Sequence, residues 1–234
     1  MASCTMSLID AVRLFLLYGV DVNFSDFDGR TGLSIACEHG YDDLAQLLLN
    51  QGADLNLTQE GSDRTRPLLV ACVHGRISTV KLLLEIGADI NHDGAVSSLI
   101  IACALGYFDV VKLLLKYGAD VNIASSSGRI PLMEAAIAYR KDKGLIDLLL
   151  EYGADINAES DGVCALGYAC LCHKRENVKL LIERGADLYK ADGVTRIAHS
   201  TSDLLTTDPE IISLVEQYRE VNKRANRAFK PLLK

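Results

Sequence analysis

Apolar positions along the chain fall in short blocks that return at a fixed distance. The triplets Leu47-Leu48-Leu49, Leu82-Leu83-Leu84 and Leu113-Leu114-Leu115 each end shortly before a glycine. Such blocks predict helices buried on several sides. After each helix comes Gly-Ala-Asp, an apolar residue and Asn: Gly52–Asn56, Gly87–Asn91, Gly118–Asn122 and Gly153–Asn157. Gly19–Asn23 opens this series and Gly185–Tyr189 closes it, with glycine spacings of 33, 35, 31, 35 and 32. A leading leucine stands nineteen residues before the glycine at Leu33, Leu68, Leu99 and Leu166, and an alanine follows three later at Ala36, Ala71, Ala102 and Ala169. Leu132 stands twenty-one before Gly153, which predicts a two-residue insertion within Tyr139–Gly144. Each unit therefore reads as a helix, a tight turn at Gly40, Gly75 or Gly106, a second helix, a glycine stop and an extended finger. Asp28-Gly29 and Ser127-Gly128 suit hairpin turns between units.

These residues together resemble the ankyrin-repeat family, whose pattern joins Thr-Pro-Leu, a small-residue pair, a turn glycine, a Leu-Leu pair and Gly-Ala-Asp-apolar-Asn. The resemblance covers about Ala2 to Tyr189. The Thr-Pro pair is eroded to Thr31-Gly32, Arg66-Pro67, Ser97-Ser98, Ile130-Pro131 and Cys164-Ala165, which puts hairpin-to-helix hydrogen bonds in question while leaving the fold. The family histidine after the anchor is also replaced. The implied fold is an α-rich solenoid of stacked helix–turn–helix units with short β-hairpins along one edge.

The organisation read from the repeat is a partial N-terminal repeat or cap at 1–23 and five full units at 24–189. A degenerate capping repeat at 190–218 and a basic helical extension at 219–234 follow. The first unit begins inside its first helix, as either a piece of a longer array or a degenerate cap. Asp208-Pro209-Glu210 reads as a helix start, Asp as N-cap and Pro in the first turn.

Candidate chemistry is thin. Cys164, Cys170, Cys172 and His173 lie within ten residues, yet Cys37, Cys72, Cys103 and Cys170 share the slot four after the anchor, a core position for a small apolar residue. His39 and His74 share another slot, and His173 stands where a turn glycine is usual. No phosphate loop, zinc-protease helix or nucleophile elbow occurs, so neither catalysis, a metal nor a cofactor is expected. The recurrent Asn23, Asn56, Asn91, Asn122 and Asn157 are expected to bond within and between hairpins. The family resemblance also implies that such asparagines can be hydroxylated.

Charge refines the partner class. The last sixteen residues hold six basic groups against one acid, leaving 18 basic against 30 acidic residues elsewhere. So acidic a body excludes a nucleic-acid partner. The longest apolar runs are too short to cross a bilayer, and unpaired core cysteines fit a reducing cytoplasm or nucleus. The resemblance implies a monomeric protein-interaction module binding a protein or peptide on its concave face. Alternatives are a substrate-recruiting adaptor of a ubiquitin ligase, or a sequestering inhibitor of a kinase or transcription factor. Positions five and six after each anchor and three before it then become the candidate partner-binding set: Arg30, His39, Val73, His74, Val96, Leu105, Arg129, Ile137 and Leu171.

Overall fold

The computed structural model describes residues 2–57, 65–91, 97–138, 144–187 and 208–229. Val96, Cys4 as a side chain, most of the Tyr139–Gly144 insertion and residues 190–207 of the capping repeat lie outside what is described. So do the basic side chains at 219, 223, 224 and 227 and the whole of 230–234.

Twelve helices occur among the described residues. They are α1 (Ala2–Leu17), α2 (Gly32–His39), α3 (Asp42–Asn50), α4 (Pro67–Val73), α5 (Ile77–Ile86) and α6 (Ser98–Leu105). The chain continues with α7 (Phe108–Lys116), α8 (Pro131–Ile137), α9 (Leu145–Glu151), α10 (Ala165–Leu171), α11 (Arg175–Glu183) and α12 (Pro209–Phe229). The even helices α2 to α10 pack side by side in one row. Helices α1, α3, α5, α7 and α9 follow one another in a second row, while α11 packs on α10 and α12 on α11. The chain is an α-rich ankyrin-type solenoid, as its periodicity predicts.

The local causes are visible unit by unit. Gly40, Gly75 and Gly106 take positive φ between the paired helices, and Gly52, Gly87, Gly118, Gly153 and Gly185 do so after the second. His173 holds the same left-handed turn at φ 55 without being glycine, a conformation that is uncommon for a side-chain-bearing residue. Ala36, Ala71, Ala102 and Ala169 are completely buried, so the first helices approach closely. The anchors Leu33, Leu99, Leu132 and Leu166 are buried beside them.

Erosion of the Thr-Pro pair has the expected consequence. The Thr31 hydroxyl accepts from the Ser34 N–H in a capping box, and the Ser97 hydroxyl accepts from Ile100. Arg66, Ile130 and Cys164 make no side-chain cap. Among the described residues one hairpin becomes a regular ladder: β1 (Glu159–Ser160) pairs antiparallel with β2 (Val163–Cys164). Its turn residues Asp161 and Gly162 both have positive φ, the geometry that matches the twist of the flanking strands. The Asp28-Gly29 finger makes an isolated bridge, Ser25 to Thr31, and inside it the Asp26 N–H donates to the Arg30 carbonyl at 3.0 Å and the Gly29 N–H to the Asp26 carbonyl at 2.9 Å.

Two features differ from a plain repeat. Helix α1 runs unbroken through Ser7, where later units have their turn glycine. Helix α12 likewise runs past residue 218 without a break. Its start behaves as read from the sequence: the Asp208 carboxylate accepts from the Glu210 N–H at 3.0 Å, and its carbonyl from Ile212 at 3.1 Å.

Candidate protein-binding face

Each first helix turns one side to its neighbours and its second helix, and leaves another uncovered. On that side Val73 and Leu105 remain exposed, at 37% and 36%. Ile137 and Leu171 are half-buried, and Ala138 is buried. The apolar stripe is thus open over α4 and α6 and partly closed over α8 and α10. Ile35 is exposed, and Ile101 and Tyr168 are half-buried, two residues after the anchors. They lie three or four positions before the residues singled out from the sequence. Helical spacing puts them on the same face, so periodicity alone could have found them.

His39 and His74 flank the stripe at its N-terminal side. Each ring Nδ1 lies 3.0 Å from the carbonyl four residues earlier, Ile35 and Val70. The carbonyl can only accept, so each Nδ1 carries the hydrogen. His74 Nε2 sits 3.9 Å from Glu38 Oε1 across the junction of two units, and the pair becomes ionic when the imidazole is protonated.

The two hairpin arginines are engaged by the chain itself. Arg30 donates from Nε to Asp26 Oδ2 at 2.9 Å, and its Nη2 lies 2.9 Å from the same oxygen. The Asp26 carboxyl is held below its ordinary value first by the Arg30 backbone N–H, with the guanidinium adding to the effect. Arg129 Nε lies 2.7 Å from Glu134 Oε1, and its guanidinium covers the Tyr168 ring at 4.5 Å. The sequence reading offered both arginines to a partner's carboxylate. Here Asp26 and Glu134 already stand as ion partners of the two guanidiniums.

The three cysteines of the repeat slot four after the anchors Leu33, Leu68 and Leu99 are held as thiols. Burial pushes the Cys37 and Cys72 thiols up to about 12, and the Cys103 thiol also upward. A thiol held protonated at neutral pH is inert. Cys164 is also buried, and Cys172 is exposed. Among the described residues no three His, Cys, Asp or Glu side chains converge as metal ligands.

The fingers form a ladder that fixes the stack. The Asn122 carboxamide donates to the Gly153 carbonyl at 3.2 Å and accepts from the Asp155 N–H at 2.9 Å. Asn23 does the same to Gly52 and Asp54, and Asn91 to Gly118 and Asp120. Asn56 accepts from the Asp89 N–H and Asn157 from that of Asp187. Inside each finger the Asp carboxylate accepts from the Asn backbone N–H, as Asp120 does from Asn122 at 2.9 Å. The Asn carboxamides therefore join each unit to the next, and the Asp carboxylates brace their own finger.

A family model described as ankyrin repeats, three copies, matches residues 1–94 and again 95–192. The chain belongs to the ankyrin-repeat family. Protein phosphatase 1 regulatory subunit 27 of Homo sapiens is 38% identical over 61 residues, 26% of this ankyrin chain and 40% of that protein. Serine/threonine-protein kinase TNNI3K of Mus musculus is 48% identical over 50 residues, 21% of this chain and 6% of the kinase. An ankyrin repeat and LEM domain-containing protein 1 homolog of Caenorhabditis elegans is 47% identical over 53 residues, 23% of this chain and 8% of that protein. The matches span at most two fifths of these curated relatives' length. What the four chains share is repeat sequence, and ankyrin repeats are protein-interaction modules. No helix among the described residues is long and apolar enough to cross a membrane.

Proposed function

We propose that this ankyrin-repeat chain is a non-catalytic recognition module that takes a partner protein or peptide on the concave, first-helix side of its stack. The observation that carries the reading is the open apolar stripe of Ile35, Val73 and Leu105 on successive first helices. Exposed groups of this size, rimmed by His39, His74 and the hairpins, are what a monomer seldom leaves bare. The expected ligand is an extended or helical segment with apolar anchors, in a hydrophobic centre with a polar rim. Arg30 and Arg129 act at the rim as paired ions. An acidic ligand group must therefore displace Asp26 or Glu134 or share their arginine.

The test substitutes the stripe. Leu105→Arg and Ile137→Arg should each abolish partner capture from the native source while the helical circular-dichroism signal persists. Capture unchanged in both folded variants would place recognition elsewhere. The similarity to a phosphatase regulatory subunit favours one partner class, a phosphatase catalytic subunit, which a direct binding titration decides. Six free thiols among the described residues suit work in a reducing cytoplasm or nucleus.

A further inference from the structure

On the first-helix side, the positions five and six after each anchor change character along the stack. Position five reads Glu38, Val73, Ala104, Ile137 and Leu171, and position six reads His39, His74, Leu105, Ala138 and Cys172. Glu38 thus stands in line with exposed Val73 and is the one carboxylate in either row.

Three acceptors gather around α2 and α4. The His39 and His74 rings each donate from Nδ1 to a carbonyl four residues earlier, at 3.0 Å. A neutral imidazole with its hydrogen on Nδ1 carries a bare lone pair on Nε2. His74 Nε2 lies 3.9 Å from Glu38 Oε1, with 38% and 35% of the two side chains exposed. That separation is too long for a hydrogen bond between them. An ammonium nitrogen about 2.9 Å from each atom would close it. His39 follows Glu38 in the chain, its ring stacked on Tyr41 at 5.4 Å.

The chain's own arginines here are committed elsewhere. Arg76 donates from Nε to the Glu38 carbonyl at 2.9 Å rather than to its carboxylate. Arg30 is held by Asp26 at 2.9 Å and Asp28 at 3.5 Å, and Arg129 by Glu134 at 2.7 Å. Among the described residues Glu38 is ion-paired to no lysine or arginine. Outside its last sixteen residues the chain holds 18 basic against 30 acidic groups, a field that draws cations and turns anions away.

We propose that the partner segment bound on the first-helix stripe is basic. Its apolar side chains lie on Ile35, Val73 and Leu105, and a lysine next to them is received by the Glu38 carboxylate and His74 Nε2. This rests on the stripe reading above and adds the ligand's charge and direction, the lysine marking the α2 side. An acidic segment meets the opposite: arginines already neutralised and a carboxylate at Glu38.

The probe is the most enriched sequence from a phage-displayed random-peptide library selected on the full chain, synthesised and titrated by fluorescence anisotropy. Enriched peptides should carry a lysine or arginine beside an apolar pair, and Leu105→Arg should abolish their binding. Replacing that basic residue by Glu in the peptide, or Glu38→Gln in the chain, should each weaken binding about tenfold, the worth of one charge-assisted hydrogen bond. Glu38→Lys should bind the Glu-substituted peptide more tightly than the unaltered chain does, a gain that a folding defect cannot produce. Peptides that Leu105→Arg releases but that are acidic, or that Glu38→Gln and Glu38→Lys leave unaffected, overturn this proposal alone. No enriched peptide, or peptides indifferent to Leu105→Arg, overturns the stripe reading and this proposal with it.

Discussion

Helices α12 and α1, the last and first among the described residues, are held to the stack in different ways. At the C-terminal end α12 lies across α11, with Ile211 fully buried and Leu214, Val215 and Tyr218 half-buried against the core. Arg175 clamps its first turn, donating to Asp208 at 2.7 and 3.1 Å and reaching Glu210. Helix α1 packs on α3, with Leu14, Leu17 and the following Tyr18 exposed. Helix α12 is held by an ion cluster, while α1 leads into a finger bonded like the internal ones. A stack's ends, unlike its interior, are thus free to differ in chemistry, because each interior unit contacts only its neighbours.

The contrast can be broken at the closed end first. Ending the chain at residue 207 should give the largest effect, a Tm fall of several degrees and oligomers in analytical ultracentrifugation. Ile211→Ala should reproduce part of it at about 2–4 kcal/mol. An unchanged monomer would show that α12 closes nothing.

Next in size are the joints. Asn122→Ala, at the centre, should cost about 1–2 kcal/mol in denaturant unfolding through two lost hydrogen bonds. Asn23→Ala should act mainly on α1, raising amide exchange there while global stability moves less. Equal global losses would mean α1 is as firmly coupled as the middle.

Thiol labelling sharpens the same gradient. Cys37 lies in the unit next to α1 and Cys103 at the centre, both buried. Both should resist a thiol reagent in the folded state, with Cys37 released sooner in mild denaturant and exposed Cys172 reacting at once. The raised thiols also imply a sign with pH. A folded-state pKa above the unfolded one gives stability that is complete below about pH 8.5. It is lost as pH rises towards the folded value near 12 for Cys37 and Cys72.

The smallest effect concerns acid. Hydrogen bonding from Arg175 holds the Asp208 carboxyl below its ordinary 3.8. A depressed carboxylate contributes stability above its unfolded pKa that is lost as pH falls through the folded one. Helix α12 should therefore loosen below about pH 4, and Arg175→Gln should remove that step from an α12-specific exchange profile.

Much of this was legible from residue types whose effect is local. Positive φ at the turn glycines, burial of Cys37, Cys72 and Cys103, and the Asp208 cap each follow from one residue and its immediate neighbours. His173 could be placed in a left-handed turn because the repeat register assigned it a glycine's position. The reading fell short where a contact depends on how units stack. It also missed that Asp26 and Glu134, close by in the chain, occupy the two arginines, because that pairing turns on the local fold of each hairpin. The repeat register likewise did not separate half-buried Ile137 and Leu171 from exposed Val73 and Leu105. Continuity of α1 through Ser7 has a local cause that the period concealed: without glycine at 7, nothing there forces a turn.

The most direct test of the binding account is photo-crosslinking from single positions in the intact chain. A benzophenone amino acid placed at 105, on the exposed side of α6, should capture the cognate partner. The same group at 112, exposed on α7 in the second row, should not. Capture from 105 alone is the expected result. Capture from 112 alone would contradict recognition on the first-helix side.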